Sequence, residues 1–138
     1  MTTATPLAFV DTSAYYALAN RRDANHDRAV AIAQRLARER WRLYTTNLVV
    51  AETHGLLVLR VGRDIALRVL IEIRNSSASV LRIGPAEEAA ALTILQTYGD
   101  KDFSLTDATS FVAMERHRIG QAFAFDRHFA QYGHSVLE

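Results

Sequence analysis

The sequence predicts an α/β protein in which a central parallel sheet of four to five strands lies between two layers of helices. Short apolar segments alternate with longer amphipathic segments along the whole chain, a pattern typical of parallel sheets with both faces covered. The first apolar segment, Leu7–Val10, has no polar position, as expected of a strand buried on both faces. The length of 138 residues is usual for one domain, so we predict a single domain over 1–138.

The first elements follow from local signals. The strand Leu7–Val10 leads into a short helix, Ala14–Ala19, which Thr12 or Ser13 can cap. Over His26–Arg40 the apolar residues recur at i, i+3, i+4 and i+7, which predicts an amphipathic helix.

The middle of the chain contains a strand and two helices. Arg42–Thr45 is the second predicted strand, and Asn47 can cap a helix that runs to Leu59. Gly62 lies just past the end of that helix, and Arg63–Arg74 is predicted to form the next one.

The last third repeats the alternation. Ser79–Ile83 is predicted as a strand, and Pro85 suits the first turn of a helix that runs to Tyr98. The next helix starts at Ser104 and ends in a basic turn before Gly120. The remaining predicted strands are Gln121–Phe125 and a short Ser135–Leu137.

The composition excludes several classes of protein. There is no cysteine, so disulfide scaffolds, thiol nucleophiles and cysteine-ligated metal sites are excluded. No apolar run approaches the roughly 20 residues of a membrane-spanning helix, and Asp11 interrupts the apolar start before it could form a signal peptide. We therefore expect a cytoplasmic protein. The net charge of +1 is not that of a protein that binds nucleic acid by charge alone, although all but one of its 16 basic residues are arginine.

Two aspartates follow predicted strands directly. Asp11 comes after Leu7–Val10, and Asp126 comes after Gln121–Phe125. Ligands of open α/β sheets bind at the carboxyl ends of strands, near the point where the strand order reverses. Each aspartate could instead cap the following helix or turn.

Two further acids lie in predicted helices. Glu52 has Val49 at i−3 and Leu56 at i+4, which places it on or beside an apolar helix face, where an unpaired carboxylate is costly. A buried pair with an arginine, or a position at the border of that face, would also explain it. Asp107 borders an apolar face too, and its spacing from Ser104 equally fits a capping box.

Together the four acids point to a metal ion. Carboxylates brought within about 4 Å repel by several kcal/mol at an effective dielectric constant near 20, so a cluster needs protons or cations to neutralise it. Oxygen donors favour the hard cations Mg²⁺ or Mn²⁺, and such a site can activate water for hydrolysis of a phosphodiester.

Four segments containing these acids resemble one known family. They are Phe9-Val-Asp11-Thr-Ser-Ala14, Thr46-Asn-Leu-Val-Val-Ala-Glu52-Thr53, Ser104-Leu-Thr-Asp107-Ala108 and Ala124-Phe-Asp126-Arg-His-Phe129. In this order and spacing, over essentially the whole chain, they resemble the PIN-domain proteins, specifically the VapC-type toxin ribonucleases of type II toxin–antitoxin systems.

The resemblance implies a fold and a chemistry. It implies a PIN-like sheet with Asp11, Glu52, Asp107 and Asp126 meeting at one end as the catalytic and metal-binding acids, with Asp126 the more variable fourth. Members of the family cleave RNA with Mg²⁺ or Mn²⁺ through a metal-activated water, leaving a 5′-phosphate and a 3′-hydroxyl. Supporting residues around the acids would be Thr12, Ser13, Thr106 and Asp102, and RNA-binding residues around the mouth would be Arg21, Arg22, Arg116, Arg118 and Arg127.

The resemblance also implies partners. VapC-type toxins are neutralised by a cognate antitoxin in a hetero-oligomer and commonly form homodimers, so both are expectations here, with RNA as substrate and no membrane association. Two alternatives stay open: a PIN-domain nuclease of RNA processing without an antitoxin, and a catalytically inactive PIN-like binding module. A phosphatase-like or receiver-like fold would also place an aspartate after a strand, but it would not explain Glu52, Asp107 and Asp126 together.

Overall fold

A five-stranded parallel sheet lies at the centre of the computed structural model, which describes residues 4–138. The strands are β1 (Leu7–Val10), β2 (Arg42–Thr46), β3 (Ser79–Leu81), β4 (Gln121–Phe123) and β5 (Ser135–Val136). The helices are α1 (Thr12–Ala19), α2 (His26–Arg38), α3 (Asn47–Arg60), α4 (Arg63–Asn75), α5 (Pro85–Thr97), α6 (Leu105–Arg116) and α7 (His128–Tyr132). This confirms the predicted α/β fold, while the first three residues of the predicted domain lie outside the described part.

The strand order β3-β2-β1-β4-β5 contains the reversal that the sequence analysis anticipated. The chain builds outward from β1 through β2 to β3 and then crosses back to place β4 on the other side of β1. The reversal therefore lies between β1 and β4. Asp11 and Asp126 follow these two strands, so both belong to the carboxyl edge at the switch point.

Helices cover both faces of the sheet. Within β1, Phe9 packs into one core with Phe111 and Phe129, whereas Ala8 and Val10 pack into the other core, on the opposite face. This alternation is the period of two of a β-strand, with both sets of side chains buried. The apolar sequence of β1 is thereby explained.

The helix caps differ in detail from the predicted ones. Of the candidate caps for α1, Asp11 rather than Thr12 or Ser13 takes the role, because its carboxylate accepts the backbone N–H of Ser13. Thr46 caps α3 by accepting the backbone N–H of Val49. The amide oxygen of Asn47 accepts the backbone N–H of Ile83 instead, which ties α3 to the segment after β3.

Several boundaries also differ. The helix predicted over His26–Arg40 ends at Arg38, and Arg40 takes a positive φ of 58°. β4 ends at Phe123 rather than at Phe125, so Asp126 lies in a short turn beyond the strand. The short helix α7 was not predicted. Among the described helices, none has the length and apolar character needed to cross a lipid bilayer.

Candidate metal-dependent nuclease site

Asp11 lies at the centre of the candidate site and is almost fully buried. Only 2% of its surface is exposed, and one of its carboxylate oxygens, Oδ2, accepts both the backbone N–H of Ser13 at 3.1 Å and its hydroxyl at 2.7 Å. The Ser13 hydroxyl oxygen in turn accepts the backbone N–H of Phe125 at 2.9 Å. Ser13 therefore joins Asp11 to the segment that carries Asp126, so the predicted supporting contact of Ser13 is present.

Burial and neighbouring acids together raise the pKa of Asp11 to about 8, with Asp126 the larger of the charged contributors and Asp107 the smaller. The pKa of Asp126 is also raised, first by burial and then by the charge of Asp107. Three carboxyl groups thus share one poorly hydrated space. Protons hold this cluster together in the absence of a cation.

Asp107 is held from two sides. As predicted from its spacing, it forms a capping box, in which its Oδ2 accepts the backbone N–H of Ser104 at 3.0 Å. The same oxygen lies 2.8 Å from Nδ1 of His128. The cap and a role in the site are therefore compatible, because the cap occupies one carboxylate oxygen and leaves the other available.

His128 connects two of the aspartates, and the sequence analysis did not include it among the site residues. Its ring contacts Asp107, and its backbone N–H donates to Oδ1 of Asp126 at 3.0 Å. Ligand atoms of Asp107, Asp126 and His128 lie within 4.8 Å of one another. The one sequence signal for His128 was its position two residues after the candidate ligand Asp126. Its contact with Asp107 joins α7 to α6 and has no local sequence signal.

Glu52 is exposed, so of the two predicted positions, on or beside the apolar face of α3, it occupies the one beside that face. The buried face of this helix consists of Val49, Thr53 and Leu57, at i and i+4 spacing. Glu52 precedes Thr53 by one residue, which rotates it about 100° around the helix and out of the core. It lies on the second turn of α3 and, like Asp11, is outside the group of mutually close ligand atoms that Asp107, Asp126 and His128 form among the described residues.

The other predicted supporting residues make no hydrogen bond to the acids. Thr12 is buried and its hydroxyl has no partner among residues 4–138. Thr106 is partly buried, with its carbonyl accepting the hydroxyls of Thr109 and Ser110. Asp102 is exposed in the loop before α6.

The predicted RNA-binding arginines divide into two groups. Arg21 and Arg22 are exposed in the loop after α1, and Arg127 is exposed beside Asp126. Arg116 and Arg118 do not surround the site, because α6 carries the chain from Asp107 at its start to the amino end of β4. Arg116 also lies 3.7 Å from the carboxylate of Glu87. The expectation that these two residues lie at the mouth is therefore wrong.

The donor set fits a hard divalent cation. Asp11, Asp107 and Asp126 offer carboxylate oxygens at one end of the sheet. Burial and neighbouring acids raise the pKa values of Asp11 and Asp126, which indicates a concentration of negative charge that a cation would neutralise. The imidazole of His128 is a weaker partner for Mg²⁺ than for softer metals. Its contact with Asp107 instead suits a residue that orients a ligand.

Comparisons with known proteins agree with this fold. The PIN domain family matches residues 8–135, so the chain belongs to the PIN-domain family. It is 34% identical over 128 residues to the 23S rRNA-specific endonuclease VapC20 of Mycobacterium tuberculosis, covering 92% of this chain and 95% of that protein. It is 30% identical over 122 residues to the ribonuclease VapC26 of the same species, covering 88% of each. The resemblance to VapC-type proteins is thereby confirmed.

Solved structures of known proteins are similar to this fold. The crystal structure of M. tuberculosis VapC20, described as a sarcin-ricin loop cleaving toxin, superimposes with a TM-score of 0.83 over 92% of this chain and 95% of that one. VapBC2 from Rickettsia felis, crystallised with a promoter DNA fragment, gives a TM-score of 0.69 at 12% identity, covering 96% of this chain and 97% of that one. The second likeness concerns the fold alone.

Replacing His128 by glutamine is expected to lower RNA cleavage by about 10- to 100-fold, the usual effect of removing a residue that orients a metal ligand. The fold should persist, because His128 is partly exposed at the start of a short helix. The measurement is the cleavage rate as a function of Mg²⁺ concentration, in which the variant should need more Mg²⁺. His54→Gln, on α3, is the matched control. An unchanged Mg²⁺ dependence would contradict the assigned role.

Proposed function

We propose that the protein is a metal-dependent endoribonuclease and the toxin component of a type II toxin–antitoxin module. The observation that carries the proposal is the group of Asp11, Asp107 and Asp126 at the switch point of the sheet. The full-length similarity to proteins named as ribonucleases supports the choice of RNA as substrate.

Asp11, Asp107 and Asp126 would hold Mg²⁺, with Mn²⁺ as the alternative, because all three provide hard oxygen donors. A bound divalent cation supplies a nucleophilic water at neutral pH and stabilises charge on the phosphodiester. Ser13 fixes the carboxylate of Asp11 by its two hydrogen bonds, and His128 fixes that of Asp107. Asp11 and Asp107 are therefore oriented before substrate arrives.

Glu52 would act from the solvent side of this group. Its exposure leaves the carboxylate hydrated and free to accept a proton from water. We propose that it helps to activate the attacking water or contacts the metal through water.

We propose that the protein binds RNA, an antitoxin and a second copy of itself. A cognate antitoxin that covers the acidic site is supported by the similarity to VapC-type proteins. A homodimer is supported by exposed apolar side chains on α3 and α4, such as Leu59, of which 81% is exposed, and Ile71, of which 49% is exposed. We propose that the protein acts in the cytoplasm. We also propose that residues 1–138 form one domain.

Purified antitoxin-free protein is expected to cleave RNA in Mg²⁺ or Mn²⁺ and to stop in EDTA. The first substrate to test is 23S rRNA, since VapC20 is named for it, beside a mixed messenger RNA pool. The products should carry 5′-phosphates, and addition of the protein encoded beside this one should suppress the cuts. Cleavage that persists in EDTA would contradict the metal site, and absence of both cleavage and metal binding would favour the inactive binding module.

A further inference from the structure

A cleft lined by four arginines lies at the other end of α1 from Asp11. It has a volume of about 600 Å³. Two of its arginines lie in the loop after α1, and two lie on the α3–α4 hairpin. The lining residues are Ala19, Asn20, Arg21, Arg22, Arg60, Val61, Ile65 and Arg68. We call this feature the arginine cleft.

The arginine cleft has no acid in its lining. All four arginines are exposed, and within residues 4–138 none of them forms an ion pair. Four guanidinium groups around one depression repel each other. The ligand that fits is one that carries several negative charges at regular spacing.

Local contacts hold the cleft in shape. The guanidinium carbon of Arg60 lies 5.8 Å from the ring centroid of Tyr16, and the Tyr16 hydroxyl oxygen accepts the amide N–H of Asn20 at 3.1 Å. The amide oxygen of Asn20 accepts the backbone N–H of Arg22, also at 3.1 Å. The loop and the α3–α4 hairpin are therefore both joined to Tyr16. Gly62, with a φ of 137°, makes the turn of that hairpin.

Helix α1 connects the arginine cleft to the acids. Its N-cap is Asp11 and its C-cap is Asn20, so the two ends lie about 13 Å apart at 1.5 Å per residue. About four stacked nucleotides would cover this distance at roughly 3.4 Å each. A single RNA strand can thus have one phosphate at the acids and phosphates about four nucleotides further along in the cleft.

We propose that the arginine cleft binds the phosphate backbone of the RNA substrate about four nucleotides from the scissile phosphate, with Arg60 and Arg68 as binding residues in addition to Arg21 and Arg22. The inference rests on the proposed ribonuclease function and adds a location for the substrate strand. Arginine suits this role because its planar guanidinium group donates paired hydrogen bonds to phosphate oxygens. Contacts to phosphate position the strand without reading its sequence.

The test is RNA binding in an Asp11→Asn background, where the strand stays intact. The probe is a fluorescein-labelled 20-nucleotide single-stranded RNA of mixed sequence, and fluorescence anisotropy gives Kd over a salt series. The variant Arg60→Gln/Arg68→Gln should bind at least about 10-fold more weakly. Its slope of log K against log salt should fall by about 1.4, since each phosphate contact to a single strand contributes roughly 0.7.

The matched control is Arg38→Gln/Arg42→Gln. These arginines are also exposed, and Arg42 begins β2, at the amino edge of the sheet. The control should keep both the affinity and the salt slope. Arg68→Glu is a second variant. Arg68 makes no hydrogen bond or ion pair within residues 4–138, so the variant protein should fold as the wild type does.

The outcomes separate this inference from the proposed function. With Asp11 intact, the Arg60→Gln/Arg68→Gln protein should cleave with a raised KM and a nearly unchanged kcat. An unchanged salt slope in a folded variant, while the wild type cleaves RNA, would overturn the inference alone, as expected if the cleft binds a protein partner. Absence of cleavage by the wild type would overturn the proposed function.

Discussion

Replacing Asp11 by asparagine is expected to lower RNA cleavage by about 10³-fold or more. Asp11 is the carboxylate that both other aspartates approach, and asparagine removes its charge while keeping an oxygen that can accept from Ser13. Loss of a metal ligand removes several kcal/mol of charge stabilisation in the transition state, and about 1.4 kcal/mol corresponds to tenfold in rate. The measurement is the single-turnover cleavage rate in saturating Mg²⁺.

The matched control is Asp27→Asn, an exposed aspartate in the first turn of α2. It makes the same chemical change far from the site in sequence and should keep the wild-type rate. A rate for Asp11→Asn within tenfold of the wild type would contradict the assignment of Asp11 to the metal.

The same substitution is expected to stabilise the metal-free protein at pH 8 by several kcal/mol. The pKa of Asp11 is raised from 3.8 to about 8 in the folded protein, chiefly by burial. The folded state therefore binds a proton that the unfolded chain releases, and folding stability falls as pH rises from about 4 to about 8. Asparagine stays neutral and escapes this loss, which amounts to at most about 1.4 kcal/mol per pH unit.

Urea unfolding in EDTA at pH 5 and at pH 8 measures this effect. The difference in free energy of unfolding between Asp11→Asn and the wild type should grow with pH, whereas Asp27→Asn should give the same small difference at both values. Mg²⁺ should stabilise the wild type at pH 8 far more than the variant, because binding to the folded state alone adds to its stability. A pH-independent difference would contradict the buried charge cluster.

The sequence was sufficient to predict the parallel sheet and the two aspartates at its switch point. Leu7–Val10 is apolar throughout because both faces of β1 are covered. Asp11 and Asp126 could be placed at one edge because the carboxyl ends of parallel strands share an edge. Asp107 was predicted from its helix border and confirmed as a capping-box residue, although its catalytic role stays a prediction.

Other features depend on contacts that no local pattern encodes. Spacing from Val49 and Leu56 left open whether Glu52 lies on or beside the apolar face of α3, and the structure buries the next residue, Thr53, instead. The contact between His128 and Asp107 needs α6 and α7 to pack together. The short turn after β4 and the helix α7 place His128 beside Asp107. Helix α7 could not be predicted because it has too few residues to show a helical period.

The arginine cleft likewise could not be predicted from local sequence patterns. Arg60 and Arg68 look like ordinary exposed helix residues in the sequence, and only the α3–α4 hairpin brings them to the loop that carries Arg21 and Arg22. Conversely, the basic turn at Arg116 correctly predicted the end of a helix. Because Asp107 is in the first turn of α6 and Arg116 is in its last, Arg116 lies away from the acids. Residue type predicted charge in each case, and topology decided where the charge lies.

The most direct test of the central claim is the position of Mn²⁺ in crystals of the protein, found by anomalous diffraction. We expect a peak within coordination distance of the carboxylates of Asp11, Asp107 and Asp126, and no such peak in crystals of Asp11→Asn grown in the same way. Mn²⁺ bound elsewhere, with the three aspartates free of metal while the protein cleaves RNA, would contradict it.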